Sequence, residues 1–404
     1  MTARFPIRSS GYRPGGGRRL VTRPQYDQEF ACFSYNDDHE FRQDASSLRW
    51  YYHNPMDIGA DLSAGFERFD KHDDSEADHL TSLLKTIIDW EKREGKRLDA
   101  HLVTWRGMMT KVRDECYRVP IMLQNVPTIE QEPSNSSNSF IEENHEFRME
   151  SKRQQQAQQR RRGRFTPEQM TFWGYKFETL CTLPKPWAEA TRTEIESRPE
   201  DVVSNKAQYC SVAITHLGPT KMCLAGEIDA LWGSKPDDPL APIDWVELKT
   251  TADIQSERDR DFFNNKVMRF WIQSFLIGVS RVVVGFRSHD GRLVRVEEMH
   301  TADLPSVRPR NWDADVCVDF AFEFLEWLKG VIRGGGVWRI RREAGGRDVE
   351  VFKLTDHGHG EVLSDEFIEW RNSDAMKAID EQALQRAQQA QQAQQAQRAQ
   401  QQPS

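Results

Sequence analysis

The segment GEIDALWGSKPDDPLAPIDWVELKT (residues 226–250) contains two apolar, strand-like pieces, GEIDAL and DWVELKT, joined by a proline-rich loop. Each carries charge inside its apolar pattern: Glu227 with Asp229, then Glu247 with Lys249. Alternate residues of a strand share a face. Glu227 and Asp229 therefore point one way with Ile228 opposite, and Glu247 and Lys249 do the same around Leu248. The loop leaves the two strands free to be hairpin partners or to pair with others in one sheet. In either arrangement three carboxylates and one ammonium group can converge. Unpaired buried carboxylates repel one another and lose hydration, so they normally need a cation. A donor set made only of oxygens suits Mg2+ or Mn2+ rather than zinc. The competing interpretation is a cross-strand salt bridge, Lys249 to Glu227 or Asp229, on an exposed sheet face.

Two further features favour the metal site. GYKFE (residues 174–178) puts another carboxylate, Glu178, on an aromatic-rich helix just upstream. In KVMRFWIQSF, Lys266, Arg269 and Gln273 fall along one lane of an otherwise apolar helix. Such a lane needs something polar to face, such as phosphate. Snorkelling side chains and a satisfied buried glutamine are the plainer account of each residue alone.

The chain's 404 residues are enough to build a large core. With 38% hydrophobic and 29% charged residues the balance is that of a polar globular protein. No apolar run approaches the ~18 residues of a membrane helix, and the first twenty residues lack a signal peptide's apolar centre. A soluble intracellular protein is expected. Six scattered cysteines without metal spacing read as reduced thiols. The net charge of −8 argues against a cationic nucleic-acid coat. Charge is uneven, however: residues 1–26 hold six arginines and no acid, and residues 148–165 hold seven basic residues against Glu150. Local basic surface can bind phosphate on an acidic protein.

Along the chain, residues 1–25 are expected to be a mobile basic N-terminus and residues 26–372 one catalytic domain. An amphipathic helix is predicted near 77–93, then a strand in HLVTWRGMMTK feeding a basic, glycine-broken turn. Residues 131–165 read as a solvated, Gln/Arg-rich polar insertion. Thr166-Pro167-Glu168 starts a helix. Strands follow at 209–214, 222–231 and 243–250, then a helix ending at Gly278. The strand RVVVGF, a helix at 315–330, a hairpin (VWRIRRE, DVEVFKL) and a short helix capped by Ser364 complete the order. Residues 373–404, with alanine every third residue from Ala387 to Ala399, are expected to be a disordered Ala/Gln-rich tail, helical at most transiently.

WRGMMTK (105–111), GYKFE (174–178), GEID (226–229), VELKT (246–250) and FWIQSFLIGVSRVVVGFR (270–287) together resemble the DXO family of decapping nucleases. That family includes the fungal proteins that partner the nuclear 5′→3′ exoribonuclease. The likeness runs with gaps from about residue 31 to 371, and the C-terminal part is similar to the fungal nuclear branch. It implies an α+β fold: a single large domain of mixed β-sheets packed together and flanked by helices, with a PD-(D/E)xK-like metal site. The resemblance also implies roles. Glu178, Asp229 and Glu247 would ligate one or two divalent cations, Mg2+ or Mn2+, with the Leu248 carbonyl. Glu227 would reach metal through water and touch substrate. Lys249 and Gln273 would lie beside the scissile phosphate, and Arg106, flanked by Trp105 and Gly107, would bind the RNA 5′ end. Cys210 would line the substrate. His39 and Asp78 depart from the arginine and glutamate of animal members.

The implied activity removes incomplete or unmethylated caps, pyrophosphate from triphosphate ends, or NAD from NAD-capped ends, leaving 5′-monophosphate RNA in the nucleus. Arg106, Lys266, Arg269 and Gln273 would grip phosphates of a single strand. Rivals are a DNA exonuclease using the same ExD…ExK arrangement and a non-catalytic partner stabilising an exoribonuclease. Loss of an acid at 178, 229 or 247 would favour the scaffold, and none is lost. HGHG (357–360), PGGG and RGGGV read as turns, and RRRGR (160–164) as a solvated run or nuclear import signal. Trp105 is the candidate for base stacking.

Overall fold

Thr166 accepts from the Gln169 amide while the Gln169 side chain accepts from Thr166, a capping box that starts helix α4 (Pro167–Leu180). Buried Phe172, Trp173, Phe177 and Leu180 make one face of α4 apolar and press it onto a sheet, with Glu178 near its end. The computed structural model describes residues 2–6, 25–77, 79–111, 121–125, 138–159, 165–238, 241–307, 312–332, 336–342, 348–354 and 362–400.

These residues form two mixed sheets. The ten-stranded one runs β1 (Thr2–Pro6), β16 (Asp348–Lys353), β15 (Gly336–Arg341), β6 (Ile121–Asn125), β7 (Ser139–Glu143), β5 (Leu102–Trp105), β10 (Thr220–Glu227), β9 (Gln208–Leu217), β2 (Gln25–Tyr35), β3 (Phe41–Arg42). The six-stranded one runs β14 (Leu293–His300), β13 (Arg281–Arg287), β12 (Trp245–Ala252), β11 (Ala230–Leu231), β4 (Trp50–Tyr51), β8 (Thr182–Leu183). Helices α1 (Thr81–Glu94), α2 (Arg106–Lys111), α3 (His145–Gln159), α5 (Arg192–Ser197), α6 (Glu257–Leu276), α7 (Ala314–Val331), α8 (Asp365–Asn372) and α9 (Asp374–Gln400) complete the order.

The smaller sheet is covered on both faces. Val246, Leu248 and Val283 pack under α4. Val282, Val284 and Phe286 pack under Phe263, Val267 and Phe270 of α6. On the larger sheet, Leu83, Leu84 and Ile87 of α1 join Val103, Val212 and Cys223, while Phe324, Leu325 and Leu328 of α7 join Met222 and Leu224.

Several expectations are corrected. The expected strand 222–231 is split between the two sheets: its first part, β10, pairs with β5 and β9 in the larger sheet, and its last two residues, β11, pair antiparallel with β12, which also pairs with β13, in the smaller one. The segment after Trp105 is helix α2, not a turn. The region 131–165 is not simply a solvated insertion, because β7 lies between β5 and β6 with Phe140, Ile141 and Glu142 buried, and α3 follows. Two apolar residues among serines and asparagines give too short a period to announce a strand. Within the expected mobile N-terminus, β1 pairs antiparallel with β16 and Phe5 packs on Phe320, Phe324 and Trp327 at 5.3–5.8 Å. The tail forms α9 rather than a disordered chain, since alanine, glutamine and arginine are strong helix formers. Its start is anchored by buried Met376 and by Asp380, 2.7 Å from Arg97. The HGHG, PGGG and RRRGR stretches lie outside the described residues, as do the glycines of RGGGV before Gly336.

Gly285 on β13 sets how closely α4 approaches: a Cβ there would lie 2.6 Å from the Phe177 ring. Gly285→Ala is expected to lower stability by about 1–3 kcal/mol through overpacking. Urea unfolding would check this, and an unchanged midpoint would show that α4 yields freely.

Candidate active site

Strand β10 ends at Glu227, opposite Cys210 of β9. The Ile228 amide then donates to the Tyr209 carbonyl at 2.9 Å, and the chain crosses into the smaller sheet at Ala230. Glu227 and Asp229 thus straddle the junction of the two sheets. Strand β11 is only two residues long, so β12 loses its neighbour after Val246. Asp229 takes the vacated position, its carboxylate accepting from the Leu248 amide at 2.6 Å. The N–H and C=O of one strand residue point to the same side, so the Leu248 carbonyl faces that gap too.

Glu247 is 1% exposed and lies between two cations. Arg106 Nη1 donates to it at 2.8 Å and Lys249 Nζ lies 2.5 Å away. Arg106 opens α2 and closes onto β10 because residue 226 is glycine: a Cβ there would lie 2.9 Å from Ile277 Cδ1 and 3.1 Å from Arg106 Cβ. Glu178 arrives from α4, whose last turn is tied down by Thr182 Oγ1 on the Glu178 carbonyl at 2.8 Å and by Arg198 on the Leu180 carbonyl.

Electrostatics divides the acids. Burial, then the charges of Asp229 and Glu227, pushes Glu178 well above the usual carboxylate range. Burial and Asp229 raise Glu227 to about 7, and burial and Glu247 raise Asp229 to about 6. Burial acts on Glu247 in the same direction, but Arg106 and Lys249 outweigh it and hold the group down at about 2. Burial alone would lower Lys249, yet Glu247 and Asp229 raise it.

Four carboxylates therefore face Arg106 and Lys249, an excess of two formal negative charges. Among the described residues no three acids form a ready-made ligand cage. Glu247 is already engaged by both cations. The donor chemistry nevertheless suits a hard divalent cation: all-oxygen groups, excess charge and three acids whose ionisation is resisted without a counter-charge.

Two cavities meet at this cluster. One, of about 490 Å³, is lined by Glu178, Glu227, Asp229, Tyr175, Arg49 and Gln208 among others. The other, of about 310 Å³, is lined by Trp105, Arg106, Gly107, Cys210, Glu227 and Gln273 among others. Glu227 and Gln208 belong to both. Trp105 is half-buried against Phe33, with ring centroids 5.9 Å apart, and Cys210 is fully buried. Lys266 reaches Thr251 Oγ1 at 3.0 Å instead of lining either cavity. His39, at φ +63°, stacks on Tyr35 and lies against His72; Asp78 lies outside the described residues. Tyr175, Gln208 and Gly226 were missed. Tyr175 and Gly226 sit inside the GYKFE and GEID motifs, where the acids drew attention first; Gln208 carries no comparable signal.

A carboxylate-and-lysine centre at a sheet junction defines the class of protein, a PD-(D/E)XK-type nuclease fold. A family model described as RAI1 like PD-(D/E)XK nuclease matches residues 25–368, and the chain belongs to that family. Similar curated relatives include the Gibberella zeae protein named Decapping nuclease RAI1, 50% identical over 375 residues covering 92% of this chain and 97% of the relative. Candida albicans Rai1, solved with pU5-Mn2+, superposes with a TM-score of 0.80 at 26% identity, covering 92% of this chain and 99% of that one. Scheffersomyces stipitis Rai1, solved with (3′-NADP)+ and calcium ion, gives 0.78 at 27% identity, covering 87% and 97%.

Glu178, Glu227 and Asp229 have folded pKa values above their unfolded ones, so the metal-free fold binds their protons more tightly. Their stabilising contribution is complete below about pH 4 and is lost as pH rises through 6 and 7. Glu247 acts oppositely, its contribution lost only as pH falls towards about 2. In EDTA the Tm is expected to fall by about 4 °C or more between pH 5 and 8, with Mn2+ restoring it at pH 8 and Glu178→Gln flattening the profile. Differential scanning fluorimetry reads all three, and a profile identical in wild type and Glu178→Gln would remove the crowding argument.

Proposed function

We propose that the chain hydrolyses RNA 5′ ends in a divalent-metal-dependent reaction. It would remove incomplete or unmethylated caps, pyrophosphate from triphosphate ends and NAD from NAD-capped ends, leaving 5′-monophosphate RNA for 5′→3′ decay. The observation that carries this reading is the convergence of Glu178, Glu227, Asp229, Glu247 and Lys249 where two cavities meet. The relatives solved with pU5-Mn2+ and with (3′-NADP)+ support a 5′-phosphorylated strand and a dinucleotide-type cap as substrates.

Glu178, Glu227, Asp229, Glu247 and the Leu248 carbonyl would hold Mg2+ or Mn2+, which when bound supplies Lewis-acid polarisation of a phosphoryl oxygen and of water. Lys249, cationic throughout the physiological range, offsets the negative charge that grows on the phosphoryl oxygens in the transition state. Arg106 and Gln273, facing the smaller cavity, grip the 5′-terminal phosphate, and Trp105 offers a ring to the terminal base. Gly107 and Cys210 line the same cavity and set its shape. Because 5′-monophosphate RNA is the substrate of a 5′→3′ exoribonuclease, a nuclear enzyme of that kind is the proposed partner, and the nucleus the proposed location. Among the described residues no helix is long and apolar enough to cross a membrane.

The test incubates purified protein with triphosphate, methyl-capped, unmethylated-capped and NAD-capped RNAs and with duplex DNA, in Mn2+ or EDTA. Activity on RNA is expected to need metal and to fall at least about 100-fold in the Glu227→Ala/Asp229→Ala double variant. RNA cleavage that persists in the double variant removes the site assignment, and preference for duplex DNA favours the exonuclease rival. Inertness on every RNA, with the exoribonuclease present, leaves only the scaffold role.

A further inference from the structure

A second tie between the two sheets lies outside the acid cluster, on the loop that joins β11 to β12. Lys235 of that loop donates from Nζ to Glu29 Oε1 of β2 at 2.7 Å and to the Tyr209 hydroxyl of β9 at 2.8 Å. Tyr209 closes the triangle by donating to the second Glu29 oxygen at 2.7 Å. The Lys235 ammonium also lies 5.1 Å from the Tyr209 ring and 5.1 Å from the Trp245 ring, and those two rings are 5.6 Å apart. Tyr209 and Trp245 are buried, and the Glu29 side chain is 8% exposed. A buried ion pair adds little stability over an apolar contact of the same volume, so what this one supplies is register between the elements it joins.

Both groups that Lys235 holds connect directly to the site. The Tyr209 carbonyl accepts from the Ile228 amide at 2.9 Å, and Ile228 is the residue between Glu227 and Asp229. Trp245 opens β12, two residues before Glu247. One side of the triangle therefore fixes the crossing that carries two acids, and the other fixes the strand that carries Glu247 with Lys249. We propose that Lys235, acting through Glu29 and Tyr209, is a positioning residue that keeps the Glu227–Asp229 crossing in register with Glu247, so that these acids can share one divalent cation. Arg106 joins the sheets by neutralising Glu247 itself. Lys235 bonds to none of the four site acids among the described residues, so its effect on them is geometric. The inference rests on the 5′-end hydrolase reading and deepens it by naming what supports the acids of that site from outside.

The experiment compares full-length wild type with Lys235→Arg and with the double variant Glu29→Gln/Lys235→Met, which removes both charges and leaves no buried carboxylate unpaired. Isothermal titration calorimetry reads Mn2+ binding, scanning fluorimetry in EDTA reads the Tm, and hydrolysis of 5′-triphosphate RNA in saturating Mn2+ reads kcat and KM. In the double variant the Tm is expected to stay within about 4 °C of wild type. Its Mn2+ dissociation constant is expected to rise about ten-fold or more, and kcat to fall about ten-fold with KM changed less than about two-fold. Lys235→Arg keeps a cation and donors for Glu29 and is expected to recover most of the Mn2+ affinity. Unchanged Mn2+ affinity in the double variant, a loss carried by KM alone, or a Tm lowered by more than about 10 °C overturns the inference, the last by showing that the tie is merely structural. Failure of Lys235→Arg to recover Mn2+ binding overturns it as well. Mn2+ binding that weakens as expected in the double variant, in a protein whose wild type cleaves no RNA, overturns the hydrolase reading and leaves the positioning role standing.

Discussion

Glu247 lies buried between Arg106 and Lys249, and this three-group contact is the constraint on which the rest of the molecule turns. A carboxylate at that depth is tolerated because two cations reach it, one from a helix start on the larger sheet and one from its own strand. Arg106 thereby joins the two sheets across their junction. Once Arg106 and Lys249 have been drawn to Glu247, little positive charge remains for Glu178, Glu227 and Asp229, whose protons are held accordingly. The site is under electrostatic load by construction. A protein selected only for stability would not keep four acids in one place, and a hard cation relieves the same load that makes the site reactive.

The surrounding architecture keeps that load in register. Helices α4 and α6 clamp opposite faces of the smaller sheet, so β12 cannot rotate its acid and lysine out of the junction. Two glycines permit the close approaches: Gly285 lets Phe177 sit against β13, and Gly226 lets Arg106 lie over β10. Strand β11 stops after two residues and leaves the Leu248 amide for Asp229. Each device is a small local omission, a missing Cβ or a missing strand neighbour, that a functional side chain fills.

Much of this was legible in the residues. The two-residue period of strands put Glu247 with Lys249 on one face of β12, whereas Asp229 lies beyond the end of β10 and meets Glu227 at the crossing between sheets, not on a strand face. The Thr166–Gln169 capping box placed the start of the helix bearing Glu178, and Ser364 placed a short C-terminal one. Other parts were hidden for identifiable reasons. Strand β7 has a five-residue sequence whose burial depends on its neighbours β5 and β6, and β1 is held by a partner more than 340 residues away. Helix α2 follows a strand directly and contains a glycine, which reads as a turn when propensity is taken alone.

By itself the sequence determined the chemical inventory and its local geometry: that Glu247 and Lys249 share a face, which helix carries Glu178, and that no soft ligands accompany them. Local period and capping act within a few residues, so the chain carries that information directly. Only the tertiary structure decided that the paired acids belong to different sheets, that Arg106 crosses to Glu247, and that two cavities meet at Glu227. Those facts depend on which strands pair over long separations and on how charge is shared once water is excluded, and neither is encoded in any short stretch of residues.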